Sequence, residues 1–254
     1  MMRYKDRPEN YKEMRLSPYK KEFQYSYVLG LFPVIELIDN LPEAIFRIVT
    51  SSKLSDSGRA ALAEKAKEAG IAISTDDRTI ERLSPKENTF AVGVFRKFEG
   101  NIDPAKDHVV LVDPADKGNL GNIVRTSVAF NFSQIVMIGR SADFFDPHTV
   151  RASMGAVFHV SPLFFRSFDE YAAAAGSRTY YPFMLKGSPM ESEMPDISAP
   201  CSLIFGNESS GLDDSFLNVG KPLRITHGSG VDSLNLTVAA GIGMHWFSHA
   251  KNIF

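Results

Sequence analysis

HVVLVD (108–113), QIVMIG (134–139) and SLIFGNE (202–208) are short runs of apolar residues, and segments with helical spacing lie between them. A strand that is apolar at successive positions is covered on both faces, as in a parallel sheet. Strands that alternate with helices build such a sheet, with helices on both faces. The rest of the second half fits this pattern. GNIVRTSVAFNF (121–132), VRASMGAVF (150–158) and LNLTVAAGIGMHWFSHA (234–250) read as helices; RTYYPFML (178–185) and PLRITH (222–227) read as strands. The class is α/β, and ligands in such sheets bind at the carboxyl ends of strands.

A smaller α/β domain is expected over 24–100. FQYSYVLG, AIFRIVTSS, AISTDD and FAVGVFRKF read as strands. LFPVIELIDN, GRAALAEKAKEAG and DRTIERLS read as helices, with Gly70 as the stop of the second. FEGNIDPAKD (98–107) is a Gly/Pro/Asp-rich break, which places a larger domain over 106–254. Residues 1–25 hold seven Lys/Arg against four Asp/Glu, and residues 101–254 hold 11 against 15. An N-terminal basic arm over 1–23 can touch phosphates or stand as a solvated tail. The formal net charge of −2 gives no general support for nucleic-acid binding.

Cys201, the single cysteine, excludes an internal disulfide framework and reads as a buried thiol in the run CSLIF. No apolar stretch approaches the roughly 20 residues of a membrane span, and the N-terminus has no apolar signal-peptide core. The expectation is a cytoplasmic chain without a membrane partner. His245 and His249 stand four apart, but no H-E-x-x-H pattern surrounds them. No metal site, Ser-His-Asp triad or Cys nucleophile is expected.

Three polar clusters follow apolar strands. In GNLGN, Gly118 and Gly121 bracket Asn119 ahead of a helix, an arrangement that suits close backbone approach to a phosphate. It is neither a Walker loop nor a dinucleotide fingerprint. Arg125 stands in an otherwise apolar helix. It either snorkels, meets an anionic or hydroxyl partner, or pairs with a carboxylate such as Asp113 or Glu208. In GNESSG, Glu208 stands between Gly206 and Gly211, as a site residue or as a cap of the next helix. In SLNLTVA, Ser233 suits the N-cap of the last helix, and Asn235 in the first turn suggests a hydrogen-bonding task.

In order and spacing these clusters resemble the motifs of the SpoU (TrmH-type) RNA 2′-O-ribose methyltransferases. DKGNLGNIVRT matches N-P-G-N-x-G-x-x-x-R-T, GNESSG matches G-x-E-x-x-G, and ITH followed by SLNLTVA matches I-P-M followed by S-L-N-V-S-x-A. PHTVRASMGAVFHV is similar to the family's R-A-S-x-G segment. The resemblance covers about 106–250. It implies a trefoil-knotted domain, a homodimer through that domain, and S-adenosylmethionine held by Gly206, Ile225 and Leu234 through backbone atoms. It makes Arg125 the catalytic arginine, supported by Asn119, Glu208, Ser233 and Asn235. Residues 24–98 more loosely resemble the small RNA-binding domain of many members. The implied substrate is structured RNA, ribosomal rather than transfer RNA; a transfer-RNA enzyme and a catalytically silent homologue are the alternatives. Two positions depart from the pattern: Asp116-Lys117 stands for Asn-Pro, and Thr226-His227 for Pro-Met.

Overall fold

A computed structural model describes residues 3–4, 15–84 and 88–252. Along the chain run β1 (Tyr25–Leu29), α1 (Leu31–Asn40), β2 (Ile45–Thr50), α2 (Asp56–Glu68), β3 (Ile73–Thr75), α3 (Asp77–Leu83) and β4 (Ala91–Arg96). Then come β5 (His108–Val112), α4 (Lys117–Ala129), β6 (Gln134–Ile138), α5 (Pro147–Ala152), β7 (Ser161–Phe165) and α6 (Phe168–Ala175). The chain ends with β8 (Thr179–Pro189), β9 (Cys201–Phe205), β10 (Leu223–Arg224) and α7 (Leu236–Ala250).

The chain divides into two compact units, one of Arg3–Phe98 with Asp143–His159, the other chiefly of Glu99–Ala142 and Val160–Phe254. In the first, the strand order is β1-β4-β2-β3. β4 runs antiparallel to both its neighbours, and β3 lies parallel to β2. Its core holds Tyr25, Tyr27, Val49, Ile80, Val92 and Val94, together with Leu16. Most of the basic arm falls outside the described residues, but its end at Leu16 is core. Asp143–His159, grouped by sequence with the second half, packs in this first unit. Phe145 lies against Phe98 and Phe158 against Phe95, each with ring centres 5.1 Å apart, so burial of aromatic area accounts for the placement.

The expected helix over 150–158 is broken. α5 ends at Ala152, Met154 and Gly155 take positive φ, and a short 3₁₀ turn follows at Ala156–His159. Gly70 takes the expected left-handed conformation, with φ of 67°, just past the C-cap of α2.

The second unit is built on one six-stranded sheet in the order β10-β8-β9-β5-β6-β7, parallel throughout. β6 and β9 are buried along their whole length, as their largely apolar sequence requires, with Gln134 and Ser202 as the polar exceptions. Val110, Val136, Leu163, Tyr171 and Ile204 form a core cluster that Leu212 and Phe216 join. The sequence pattern passes over β7 and α6. Pro162 lacks the N–H that a central strand needs, and β7 tolerates it because it is an edge strand. Cys201 is buried at the start of β9, where burial first, then the Asp107 charge, pushes its thiol pKa up.

Candidate functional site

All six strands point the same way, so the loops after β9 and β10 gather at one edge of the sheet. There they line a cavity of about 400 Å³. Gly206, Asn207, Glu208, Ile225, Ser233 and Leu234 face it, as do the β8 residues Phe183–Lys186. Phe183 stacks on Phe205 with ring centres 4.7 Å apart, which gives the cavity an aromatic wall. Gly243 of α7 lies behind that wall, where a Cβ would stand 2.7 Å from the Phe183 ring. At the rim, Lys186 pairs with Asp214 at 2.6 Å.

Gly206 ends β9, and the chain folds back on it at once. Asn207 and Gly211 exchange backbone hydrogen bonds, at 3.2 and 2.9 Å. The Asn207 side-chain oxygen accepts from the backbone N–H groups of Ser209 and Ser210 inside this loop. A Cβ on Gly206 would overlap the backbone of Gly211 and Leu212, so only glycine permits the closure. Asn207 Nδ2 donates to the Asp113 carbonyl at 2.8 Å and ties the loop to the end of β5.

Glu208 makes the second tie. Its carboxylate accepts from Ala115 N at 2.9 Å, Asp116 N at 3.0 Å and Asn119 Nδ2 at 3.2 Å. Burial pushes this carboxyl pKa up, but these three donors together with the backbone N–H of Glu208 itself outweigh burial and hold it below its usual value. Glu208 therefore caps no following helix; Asp213 caps the 3₁₀ turn at Asp214–Asn218. Asn119 in turn accepts from Asn235 Nδ2 at 3.5 Å. Asn119, Glu208 and Asn235, drawn from three separate motifs, thus form one hydrogen-bonded chain beside the cavity.

Three expectations are corrected. GNLGN is not a loop ahead of a helix. α4 begins at Lys117, because Asp116 accepts from Asn119 N at 2.7 Å and caps it, and neither Gly118 nor Gly121 takes a positive φ. Ser233 is not the cap of α7. Asn235 is, accepting from Thr237 N at 2.8 Å, so its side chain both starts the helix and reaches Asn119. Arg125 pairs with neither Asp113 nor Glu208. Asp113 Oδ1 accepts from Arg140 N, and the Glu208 oxygens are already engaged. Arg125 stands exposed on α4, away from the cavity lining, without a hydrogen bond or ion pair among the described residues.

The departures from the motif pattern have local substitutes. Asp116 caps α4 as an asparagine would. Thr226 gives its N–H and its hydroxyl to Glu191, at 3.2 and 2.9 Å, where a proline would supply stiffness of its own. Glu191, Asn207 and the Phe183–Lys186 stretch escape a motif-based reading. The signal for the last was the polar Lys186-Gly187-Ser188 that follows the apolar part of β8. His245 and His249 of α7 are exposed, with their rings stacked 5.9 Å apart. No group of three or more metal-ligating side chains occurs among the described residues.

The chain is 35% identical over 143 residues to the 23S rRNA (guanosine(2553)-2′-O)-methyltransferase of Bacillus subtilis, a match covering 53% of this chain and 55% of that protein. It is 31% identical over 151 residues to the 23S rRNA (adenosine(1067)-2′-O)-methyltransferase of Streptomyces azureus, covering 58% and 56%. The match thus spans about half the length of these curated relatives. Among solved structures, the AdoMet-bound rRNA methyltransferase from Sinorhizobium meliloti superposes with a TM-score of 0.75 at 27% identity, over 91% of this chain and 88% of that one. The SpoU rRNA Methylase family matches residues 106–245, which hold the cavity and all three motifs, and the chain belongs to that family.

Proposed function

We propose that the chain transfers a methyl group from S-adenosylmethionine to a ribose 2′-hydroxyl of RNA, ribosomal rather than transfer RNA. The observation that carries this is the chain of hydrogen bonds from Glu208 through Asn119 to Asn235, which joins all three motifs beside one cavity. The residues fit the cofactor. A volume of about 400 Å³ lies in the range of about 300–1,000 Å³ usual for such sites. Gly206, which has no room for a side chain, leaves backbone groups facing the ligand, with Ile225 and Leu234 beside it.

Bound there, the cofactor supplies an electrophilic methyl group on sulfur. Gly206, Ile225 and Leu234 hold it largely through backbone atoms. Glu208 fixes the turn before α4 and, through Asn119, the start of α7, while Ser233 lines the cavity at its exposed rim. Arg125 is the catalytic arginine. A guanidinium in a protein stays charged and has no acceptor lone pair to offer, which rules it out as the proton acceptor. It holds the target phosphate and lowers the hydroxyl pKa electrostatically, and another group or water takes the proton. The absence of a hydrogen-bond or ion-pair partner for its guanidinium among the described residues supports this role.

The large unit is read as trefoil-knotted and as the contact surface of a homodimer. The first unit and the basic arm are read as the RNA-binding part, and the compartment as cytoplasm. Light scattering of the purified chain tests the dimer. Incubation with labelled cofactor and total RNA tests the activity: label is expected in ribosomal RNA, as a 2′-O-methyl nucleotide. Arg125→Ala is expected to keep cofactor affinity and lose turnover by at least about a hundredfold. Unchanged turnover would remove Arg125 from its role, and a wild-type chain that binds cofactor without transfer would mark a silent homologue.

A further inference from the structure

Ile225 and His227 both line the cavity, and Thr226 stands between them. Little else fixes this stretch. β10, which precedes it, is only two residues long and pairs on one side, with β8. The exposed segment 228–233 follows. Gly187 lets β10 press against β8, since a Cβ there would strike the Leu223 backbone, but that contact ends before Ile225. Beyond it, Glu191 takes over. Glu191 lies in the 3₁₀ turn Met190–Ser192 that follows β8 directly, and one carboxylate oxygen accepts from Thr226 N while the other accepts from Thr226 Oγ1.

We propose that Glu191 is a positioning residue for the cofactor site: its two-oxygen grip on Thr226 holds Ile225 and His227 against the ligand and replaces the stiffness that a proline would give this loop. The inference rests on reading the cavity as the cofactor site. A backbone N–H and a hydroxyl held by one anion restrict both the peptide and the side chain of Thr226. Preorganising a binding loop in this way raises affinity by lowering the ordering required on binding. The carboxylate is also the right species for the task. Its own backbone N–H first, then the two Thr226 donors and the Arg224 charge, hold its pKa below the usual value against the effect of burial.

The test is calorimetric titration of the full chain with S-adenosylmethionine, alongside thermal melting and amide exchange without ligand. Glu191→Ala and Thr226→Val are each expected to raise Kd, by about 5- to 20-fold for the first and less for the second, which keeps the backbone N–H. The double variant is expected to bind no worse than Glu191→Ala, because both changes break the same grip. Glu191→Gln, which keeps one acceptor oxygen, is expected to fall between wild type and Glu191→Ala. The Thr226 amide is expected to exchange faster in Glu191→Ala, with Tm lowered by less than about 2 °C. Wild-type affinity in Glu191→Ala and Thr226→Val overturns the brace while leaving the cofactor site standing. Weaker binding that only follows a large fall in Tm also overturns it. A wild-type chain that binds no S-adenosylmethionine overturns the cofactor site itself.

Discussion

Glu208 accepts three hydrogen bonds from the turn before α4 and from α4 itself, so its charge organises a site it does not have to touch chemically. Glu208→Gln keeps the shape but presents an NH₂ to at least one N–H donor. The expected loss of stability is about 1–2 kcal/mol, at the modest end because the carboxylate is partly exposed. The sign of the pH effect follows from the lowered pKa. A carboxylate with a folded pKa below its usual 4.5 stabilises the fold above that value, and this contribution fades as pH falls through the folded pKa. Urea titrations of wild type and Glu208→Gln should therefore differ most at neutral pH and draw together as pH falls below the usual carboxyl value of 4.5; a constant gap from neutral to acid pH would sink the assignment. Asn119, Glu208 and Asn235 stand out in the sequence as polar residues against apolar strands and helices. That they bond to one another does not, because each link crosses a long stretch of chain. Arg125 is the converse case: its apolar helix left snorkelling, a ligand partner and a carboxylate pair all open, and the structure removes the pairs with Asp113 and Glu208 and leaves the side chain exposed.

At the scale of elements, α4 shows what a motif reading misses. DKGNLGN has the residues of a loop, yet Asp116 bonds to the N–H three residues on, and the helix starts there. Asp116→Ala should cost about 1 kcal/mol of stability, while Asp116→Asn, which can cap equally well, should stay within about 0.5 kcal/mol of wild type. Chemical denaturation of the three proteins checks this. Equal losses for both variants would show that the carboxylate charge, not the cap, is what matters. The other differences also have local causes. A proline concealed β7, an edge strand. Positive φ at Met154 and Gly155 split a helix that the apolar spacing runs together. Continuous apolar runs such as those of β5, β6 and β9 were legible because burial on both faces leaves no other composition open to them.

Over the second unit as a whole, the two ends of the sheet hold different chemistry. The carboxyl ends carry the cavity. The amino ends carry a buried polar cluster built on His108, the first residue of β5. His108 Nδ1 lies 2.8 Å from Tyr171 Oη, and Nε2 lies 3.0 Å from the Asp103 carbonyl, which can only accept. The proton therefore sits on Nε2, and Nδ1 accepts from the tyrosine. Tyr171 Oη also meets Ser202 Oγ at 2.6 Å, and Arg178 donates to Ser202 and to the carbonyls of Pro104, Lys106 and Cys201. A second proton on His108 would put a charge in a buried site and would face the Arg178 charge. Burial first, and then that charge, lower its pKa from 6.5 to about 4. In the unfolded chain the imidazole takes up a proton near pH 6.5, and in the folded chain it does not until about pH 4. Stability should thus fall with falling pH between those values, by about 3 kcal/mol at most for this one group. His108→Gln should be less stable at pH 7.5, because Tyr171 and Asp103 lose part of their bonding. Its stability should then change less between pH 6.5 and 5, since the titrating group is gone. Urea unfolding at several pH values, followed in both proteins, decides the matter: parallel curves would show that the acid sensitivity of this unit arises elsewhere.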